Sequence, residues 1–450
     1  MTQATNEPKW ALDGWTEWLP SLGWLVFQFA PMLLQLPADT GTASRDQVIG
    51  SGTVLLALLS ADALAWTKFR RQSDRPIPRF PTERVGWTVI GLVAMVMAAT
   101  VLSLASMPRV PIIVALTENL GTVGYSRARE AALKLGESVQ WLGPLCAISL
   151  AIAAPIAVLM LWIRRHAVAA TALFLWCICY GLSTTARLPS IMLVIVVGVG
   201  WSMVSRKASR WCLAIAVVGI VVASTIVGLL VTEPSPMFSP DVIKASRDTA
   251  FHVEVGDRLF PASIADRHRV WSIMPLEARQ MPRALTAFME ASAYRALFTP
   301  ADVSIRWYQY FSMSERRLGL ASVALRPSNQ SVPSRVVGEW AFRDRFPKLY
   351  LDSANAYASL DADAYARGGL WAACLGGVIL AGVRASLIAL QAKSADARIC
   401  YGVGIGLLFL LPAQASLQAI LVIHGLGVLV TLSVLQAIGY CRSKGERCIN

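Results

Sequence analysis

The sequence predicts an all-α polytopic membrane protein with about ten transmembrane helices and a large, mostly helical external loop between spans 7 and 8. Of its 450 residues, 55% are hydrophobic and 15% are charged, a balance too apolar for a water-soluble domain. Apolar runs of about 18 residues or more, each able to cross about 30 Å of hydrocarbon as a helix, recur along the chain. Residues 232–367 interrupt these runs and hold 15 of the 28 acidic residues.

The apolar runs define the predicted spans. The first run is the least regular, because Pro20, Pro31 and Gln35 interrupt it. The ten runs cover residues 19–37, 49–67, 86–106, 139–163, 166–184, 188–204, 211–231, 368–390, 399–416 and 418–439.

Lysine and arginine in the short loops predict the orientation, because positively charged loops stay on the cytoplasmic side. Along ten spans the basic stretches all fall on one side, so we expect a multi-pass protein with both termini in the cytoplasm. These stretches hold 17 of the 41 basic residues, and the net charge of +13 therefore requires no nucleic-acid partner. They are residues 68–84, 164–165, 205–210, the region from Arg384 to Arg398, and the tail 441–447.

This topology divides the chain into four parts. Residues 1–231 form an N-terminal bundle of spans 1–7 with a shorter external loop at 107–137, and residues 232–367 form the large loop or cap. Spans 8–10 lie in 368–440, and 441–450 is a cytoplasmic tail.

Parts of the large loop have their own secondary-structure signals. TPADVSIRWYQYF, residues 299–311, predicts a helix with Thr299 as N-cap and Pro300 at the first helical position. Residues 276–298 repeat apolar side chains at helical spacing. The Ser- and Pro-rich stretch 326–335 predicts an exposed loop.

Several common kinds of site have no support in the sequence. The eight cysteines all lie in predicted spans or in the tail, without a CxxC pattern, and the four histidines are scattered. We therefore expect no disulfide, no metal and no cofactor. No GxxxxGK[ST] pattern occurs, so any reaction would use an already activated substrate or a gradient.

Arginine dominates the basic residues of the large loop. Of its 17 basic residues only Lys244 and Lys348 are lysines. The planar guanidinium binds phosphate through two parallel hydrogen bonds, so these arginines suit an anionic head group. Ion pairs with the 15 carboxylates of the loop are the alternative.

Three further arginines lie at predicted outer membrane boundaries. Arg187 stands at the outer end of the sixth span, and Arg127 and Arg129 precede the fourth span beside Tyr125. Such residues are candidates for phosphate binding, because burying an unpaired charge is costly. Extension of the side chain to lipid head groups, or a solvated connector, is the alternative.

Two positions suggest proton transfer. His268 lies between Arg267 and Arg269, whose charges lower its pKa and favour a role as base. Asp62 is the one acidic residue deep in a predicted span, and it is either a proton site of a transporter or a structural partner of a buried arginine or hydroxyl.

The stretch SLDADAYARGGLW, residues 359–371, ends the large loop just before the eighth span. Tyr365 and Arg367 suit the depth of the lipid head groups. Asp363 is the candidate base or acceptor-sugar ligand of this stretch. Asp361 is expected to be solvated and to serve as its control.

Three patterns carry a resemblance to a known family: GYSRAREAALKLGESVQWLG before the fourth span, TTARLPSIMLVI at the sixth, and SANAYASLDADAYARGGLWAACLGGVILAG leading out of the large loop. With the late, large external loop, the chain resembles the bacterial O-antigen and exopolysaccharide polymerases (Wzy-type, oligosaccharide repeat unit polymerases). This group is related in architecture to the O-antigen ligases. The layout agrees over about residues 50–440.

The resemblance implies a glycosyltransferase of the bacterial inner membrane that acts on its periplasmic face. It would transfer a growing glycan from an undecaprenyl-diphosphate carrier to another lipid-linked repeat unit, without cofactor or metal. Besides this lipid-linked oligosaccharide and membrane lipids, a chain-length regulator and a flippase would be partners. An O-antigen ligase or another transferase using a lipid-phosphate sugar is the first alternative, and a polysaccharide transporter or flippase is the second.

Within this interpretation each candidate residue has a role. The diphosphate would be bound by arginine, and Asp363 or His268 would be the base. Tyr365, Trp307 and Tyr308 would stack on sugars, with packing in a core as the alternative. The arginines are Arg127, Arg129, Arg187, Arg267 and Arg269.

Overall fold

The computed structural model describes somewhat more than half of the chain, and all structural statements below concern that part. The described residues are almost all helical, with one short pair of strands. They are residues 14–36, 41–72, 86–107, 110–117, 141–184, 187–203, 252–255, 258–261, 299–319, 333–342, 357–391 and 395–435.

The N-terminal half is a series of apolar helices. A 3-10 turn, Gly14–Trp18, leads into the first of them, and π-helical turns at Leu25–Phe29 and Ser149–Ala153 join two pairs. The α-helices are α1 (Leu19–Trp24), α2 (Ala30–Gln35), α3 (Thr42–Gln72), α4 (Trp87–Ser106), α5 (Pro111–Thr117), α6 (Leu142–Ile148), α7 (Ala154–Ile163), α8 (Ala167–Ser183) and α9 (Arg187–Ser202).

The C-terminal half begins with an antiparallel strand pair, β1 (His252–Val255) and β2 (Arg258–Pro261), in which His252 pairs with Pro261. Short 3-10 turns at Ser314–Arg316 and Ile388–Leu390 and a π-helical turn at Ala419–Ile423 accompany the helices. The α-helices are α10 (Thr299–Phe311), α11 (Pro333–Phe342), α12 (Leu360–Gly368), α13 (Leu370–Leu387), α14 (Ala395–Leu410) and α15 (Leu426–Leu435).

Four helical stretches are long and apolar enough to cross a membrane: Thr42–Arg70, Trp87–Ser106, Leu142–Ile163 and Leu370–Leu390. Ala167–Ser183, Pro189–Ser202 and Leu426–Leu435 are apolar but shorter. The structure is thus compatible with a membrane protein, whereas the predicted number of ten spans stays a prediction. The seventh predicted span, 211–231, lies outside the described residues.

The two π-helical turns that join apolar helices each precede a proline, and the proline explains them. Pro31 follows the turn Leu25–Phe29, and Pro155 follows Ser149–Ala153. A proline ring collides with the carbonyl four residues earlier and supplies no N–H. One extra residue in the preceding turn relieves this conflict and lets the helix continue. Pro31 therefore reshapes the first apolar run, and α2 continues beyond it.

Helices α3 and α13 pack side by side in the same direction. Gly377 faces Val54 so closely that a Cβ at position 377 would lie 2.9 Å from the Val54 Cα. Further along both helices, Arg384 reaches Asp62. Small residues at such a contact let two backbones approach, which is how helices associate in a lipid environment.

Helices α9 and α14 pack closely in opposite directions. A Cβ at Gly402 would lie 2.7 Å from the Gly200 Cα, and one at Gly406 would lie 2.9 Å from the Val196 Cα. The first residue of α9 and the last residues of α14 are therefore at the same end of the bundle. At that end the Leu360 N–H donates to the Pro412 carbonyl at 2.9 Å, which joins α12 to the loop after α14.

Helices from the predicted large loop pack on the apolar helices. Ala301 and Ile305 of α10 form a buried cluster with Met32, and Tyr308 lies against Gly50 of α3. The predicted helix 299–311 is confirmed. The expectation of an exposed loop at 326–335 is wrong at its end, because α11 begins at Pro333, a residue suited to the first turn of a helix.

Candidate functional site

Helix α12 places a carboxyl group in the protein interior. Ser359 precedes the helix as N-cap, and Asp361 and Asp363 occupy its first turn, where carboxylates favour the positive helix end. The face formed by Leu360, Asp361 and Tyr365 is buried, and Asp361 has no exposed surface. The buried side of α12 thus carries an acid into an otherwise apolar and aromatic environment.

Hydroxyl and amide groups surround Asp361. The Ser359 Oγ–H donates to its Oδ1, and the Tyr308 hydroxyl donates to Oδ2 at 3.4 Å. Ser359 also lies 2.8 Å from the Ser304 Oγ, and the Gln28 Nε2 donates to Ser359 at 3.3 Å. This polar cluster joins residues of α12, of α10 and of the first apolar run.

Burial raises the pKa of Asp361 to about 6, although hydrogen bonds from Ser359, Ala362 and Tyr308 act to lower it. A carboxyl group with this pKa gains and loses its proton near neutrality. Burial, followed by the charge of Asp361, also raises the pKa of the Tyr308 phenol well above its ordinary value, so Tyr308 stays a hydrogen-bond donor.

The structure contradicts the expectation that Asp361 is solvated, whereas the role of Asp363 as base or sugar ligand stays a prediction. Asp363 forms an ion pair with Arg367 one turn later, at 2.9 Å, on the outer side of α12. Asp361, expected to be solvated, is the buried one. The reason is helical spacing: positions 361 and 365 share the buried face, while 363 and 367 share the opposite face.

The aromatic residues predicted to stack on sugars are packed in the interior. The Tyr308 and Tyr365 rings stack with centroids 4.2 Å apart, and Trp307 packs on Phe311. Tyr365 also donates to Asp46 Oδ2 at 3.0 Å. All three predicted residues are buried, so none offers a ring face to a sugar in this structure, and the alternative of core packing describes them.

Three polar atoms near this cluster have no hydrogen-bond partner among the described residues. They are the Gln28 Oε1, the Gln47 Nε2 and the Ser51 Oγ, all on buried side chains. Gln47 and Ser51 lie one turn apart on α3, next to Gly50, where a Cβ would be 2.5 Å from the Tyr308 hydroxyl. Buried polar atoms are normally paired, so these atoms are available to water or to a ligand hydroxyl.

A second polar cluster surrounds Arg384, which the sequence placed in a basic loop. Arg384 also lies in the predicted span 368–390, and the structure agrees with the span and not with the basic loop, because Arg384 is a buried residue of α13. Its Nε donates to Asp62 at 2.7 Å and its Nη2 donates to Glu17 at 2.8 Å. Tyr401 and Gln391 complete the cluster. The interpretation of Asp62 as the partner of a buried arginine is confirmed.

The predicted arginine and histidine sites stay predictions. Arg187 is the first residue of α9, but its side chain is not among those described. The others lie outside the described residues: Arg127, Arg129, Arg267, His268 and Arg269.

Sequence reasoning missed Asp361, Ser304, Gln28 and Glu17 as members of polar clusters. A signal existed for Asp361, because Leu360, Asp361, Tyr365 and the small residues between them form one helical face. Glu17 had no such signal, since its partner Arg384 lies 367 residues away in the sequence.

Comparisons of the chain with protein-family models, with known proteins and with solved structures found no match.

Proposed function

We propose that this protein polymerises lipid-linked oligosaccharide repeat units. It transfers the growing glycan from an undecaprenyl-diphosphate carrier to a hydroxyl of another lipid-linked repeat unit on the periplasmic face of the bacterial inner membrane. The observation that carries the proposal is Asp361, a completely buried carboxyl group that accepts hydrogen bonds from the Ser359 and Tyr308 hydroxyls. It lies where the end of the predicted external loop packs on the apolar helices.

The reaction needs a base and a group that accommodates the leaving diphosphate. Asp361 is the base of the proposal in place of Asp363, because Asp363 is neutralised by Arg367. The Ser359 hydroxyl donates a hydrogen bond to Asp361. The proton of the acceptor hydroxyl therefore passes to Asp361 through the Ser359 hydroxyl. Ser304 and Gln28 fix the orientation of Ser359.

Arginine side chains supply the positive charge in this proposal, since negative charge grows on the lipid diphosphate as the glycosidic bond breaks. Support comes from the position of Arg187. Helix α9 runs antiparallel to α14, so Arg187 begins α9 at the end of the bundle where Pro412 accepts from Leu360. Its backbone is thus at the same end as α12 and Asp361.

The test is extension of lipid-linked repeat units by the purified full chain in vesicles, without ATP and without an ion gradient. We expect the wild type to make long glycans and Arg187→Ala to leave single repeat units on the carrier. Asp361→Asn should lower the rate by about 10²–10⁴-fold, the usual loss of a general base. Asp363→Asn, on the same helix, is the matched control and should retain activity.

Two outcomes contradict the proposal. If Arg187→Ala and Asp361→Asn both still make long glycans, neither residue has the proposed role. If the folded wild type does not extend the correct repeat unit, the protein is not a polymerase.

Transport of a lipid-linked glycan is the second candidate function, and the buried cluster of Arg384, Asp62 and Glu17 favours it. Ionisable groups inside a membrane commonly mark ion or proton pathways. Vesicles distinguish the two functions: a transporter moves the lipid-linked glycan between leaflets and leaves its length unchanged, whereas the polymerase lengthens it.

A further inference from the structure

The π-helical turn Leu25–Phe29 places an amide group in the protein interior. Gln28 is the buried residue of this turn and has no exposed surface, whereas Leu25 and Val26 are 39% and 37% exposed. A side chain amide that is removed from water is costly unless its N–H and C=O groups are hydrogen-bonded. Both ends of the Gln28 amide therefore require a partner.

One end of the Gln28 amide is bound to the Asp361 cluster. The Gln28 Nε2 donates to the Ser359 Oγ at 3.3 Å. Ser359 uses its single hydroxyl proton for Asp361, so it takes part in the bond with Gln28 as the acceptor. This fixes the orientation of the amide, because the nitrogen must face Ser359. The Gln28 Oε1 is then the other end of the amide, and no donor reaches it among the described residues.

Helix α3 runs alongside the first apolar run in the opposite direction. The Ser21 N–H donates to Asp62 Oδ2 at 3.0 Å, and the Trp24 Nε1 donates to the Ser51 carbonyl at 3.0 Å. Later residues of the first run therefore lie beside earlier residues of α3.

This register brings Gln28 to the same level as Gln47. Gln28 follows Trp24 by about one turn, and Gln47 precedes Ser51 by about one turn. Gln47 is 1% exposed and Ser51 is 0% exposed. The Gln47 Nε2 and the Ser51 Oγ, like the Gln28 Oε1, have no hydrogen-bond partner in the described part of the chain. Three unpaired polar atoms thus lie between the first apolar run and α3.

The chemistry of these three atoms selects the kind of group that fits between them. The Gln28 Oε1 can only accept, the Gln47 Nε2 can only donate, and the Ser51 hydroxyl can do both. A metal cation would leave the Gln47 N–H unpaired, and an anion would leave the Gln28 oxygen unpaired. A group with an O–H bond accepts one hydrogen bond and donates another, so it satisfies both amides.

We propose that Gln28, Gln47 and Ser51 form a binding site, the amide site, for a single O–H group that accepts from Gln47 Nε2 and donates to Gln28 Oε1. The O–H group belongs to a water molecule or to the acceptor glycan. The glycan source rests on the proposed polymerase function, whereas the water source does not. The bound group joins α3 to Asp361 by way of Gln28 and Ser359.

The first test is cryo-electron microscopy of the wild-type full chain in lipid nanodiscs, in a map that resolves ordered water. One sample contains no glycan, and the other contains the lipid-linked repeat unit. We expect density for one oxygen atom at about 2.7–3.2 Å from both Gln28 Oε1 and Gln47 Nε2. Isolated density in the sample without glycan identifies water, and density continuous with the added repeat unit identifies a glycan hydroxyl.

Either source supports the amide site, and two results of this experiment overturn it. The first is the absence of the density from both samples. The second is a direct hydrogen bond between Gln47 Nε2 and Gln28 Oε1, with no group between them. Because the maps need no variant, this result stands even where a substitution prevents folding. If the polymerase assay fails, isolated density still supports the site with water as its ligand.

The second test compares the stability of Gln28→Met, Gln47→Met and the double variant, without and with the lipid-linked repeat unit. Methionine keeps the length of the side chain and removes its hydrogen bonds. Each single substitution should lower the ratio of folded to unfolded protein about 5–30-fold where the O–H group is bound. The double variant should lose less than the product of the two effects, since both amides bind the same group. Gln418→Met, at an exposed position, is the control and should change the ratio little.

Three results of the second test overturn the proposal. The first is that the two substitutions act independently in both samples. The second is that Gln47→Met is at least as stable as the wild type in both samples, which is expected if the amide is unpaired. The third is saturable stabilisation of the wild type by Na⁺ or K⁺ that Gln47→Met abolishes, which would make the site a metal-cation site.

Discussion

At the scale of single residues, the two acids of α12 differ in environment although two positions separate them. Asp361 is buried among hydroxyl groups, and Asp363 is paired with Arg367 near the surface. Partly exposed pairs of this kind contribute about 0.3–0.5 kcal/mol within a helix. The ion pair of Asp363 therefore adds little to stability, whereas Asp361 is the acid of α12 that is removed from water.

Asp361 makes the stability of the fold depend on pH. Its pKa is about 6 in the folded protein against an ordinary value of 3.8. The folded state thus binds the proton more tightly, and this contribution is fully present below about pH 4 and is lost as the pH rises through about 6. The loss is about 3 kcal/mol.

We therefore expect wild-type stability to fall relative to Asp361→Asn as the pH is raised from about 4 to 7. Unfolding in detergent, measured at a series of pH values, checks this. Asp363→Asn is the control and should keep the wild-type dependence. An equal pH dependence of Asp361→Asn and wild type would show that the carboxyl group is solvated in the folded protein.

At the scale of elements, the contact of α3 with α13 depends on the size of one side chain. Gly377 lies against the Val54 backbone, where a Cβ would be 2.9 Å from the Cα. The same helix has Gly382, where a Cβ would meet no atom within 4 Å. These two glycines separate the effect of helix packing from the effect of helix propensity.

Gly377→Ala should lower stability by about 1–3 kcal/mol, because the two helices must move apart. Gly382→Ala should be neutral or raise it by about 0.5–1 kcal/mol, since alanine favours helix more than glycine. Thermal unfolding of both variants in one detergent provides the comparison. Equal stability of the two variants would contradict close packing at Gly377.

Element boundaries were predictable where the cause is local. Thr299 and Pro300 marked the start of α10, and the apolar run of α4 agrees closely with its prediction. The π-helical turns before Pro31 and Pro155 were not predictable from apolar periodicity, because their cause is a backbone collision. Arg384 is buried because it pairs with acids that are distant in the sequence, and these pairs could not be predicted. The positive charge of Arg384, considered by itself, favoured a loop.

At the scale of the whole molecule, contacts between helices show which helix ends lie at the same end of the bundle. Asp46 of α3 meets Tyr365 at one end, and Arg164 meets Asp396 at the other. In the predicted topology the first pair lies on the external side and the second on the cytoplasmic side. Each of these two contacts joins helix ends that the positive-inside pattern assigns to the same side of the membrane.

Cysteine labelling tests this topology. In a background without native cysteines, Glu315→Cys should react with a membrane-impermeant maleimide in intact cells. Arg165→Cys should react after the membrane is permeabilised. Both positions are exposed in the structure, so accessibility within the protein is matched. Labelling of both from the same side would show that the predicted topology is wrong.

The bond between Asp62 and Arg384 has a consequence for how the chain is made. The two residues are 322 positions apart, so at about 5–20 residues per second Asp62 is synthesised about 15–60 s before its partner. A chain inserted in order of synthesis therefore carries Asp62 into the membrane before Arg384 exists. We therefore expect α3 to reach its final contact with α13 only after Arg384 has been synthesised.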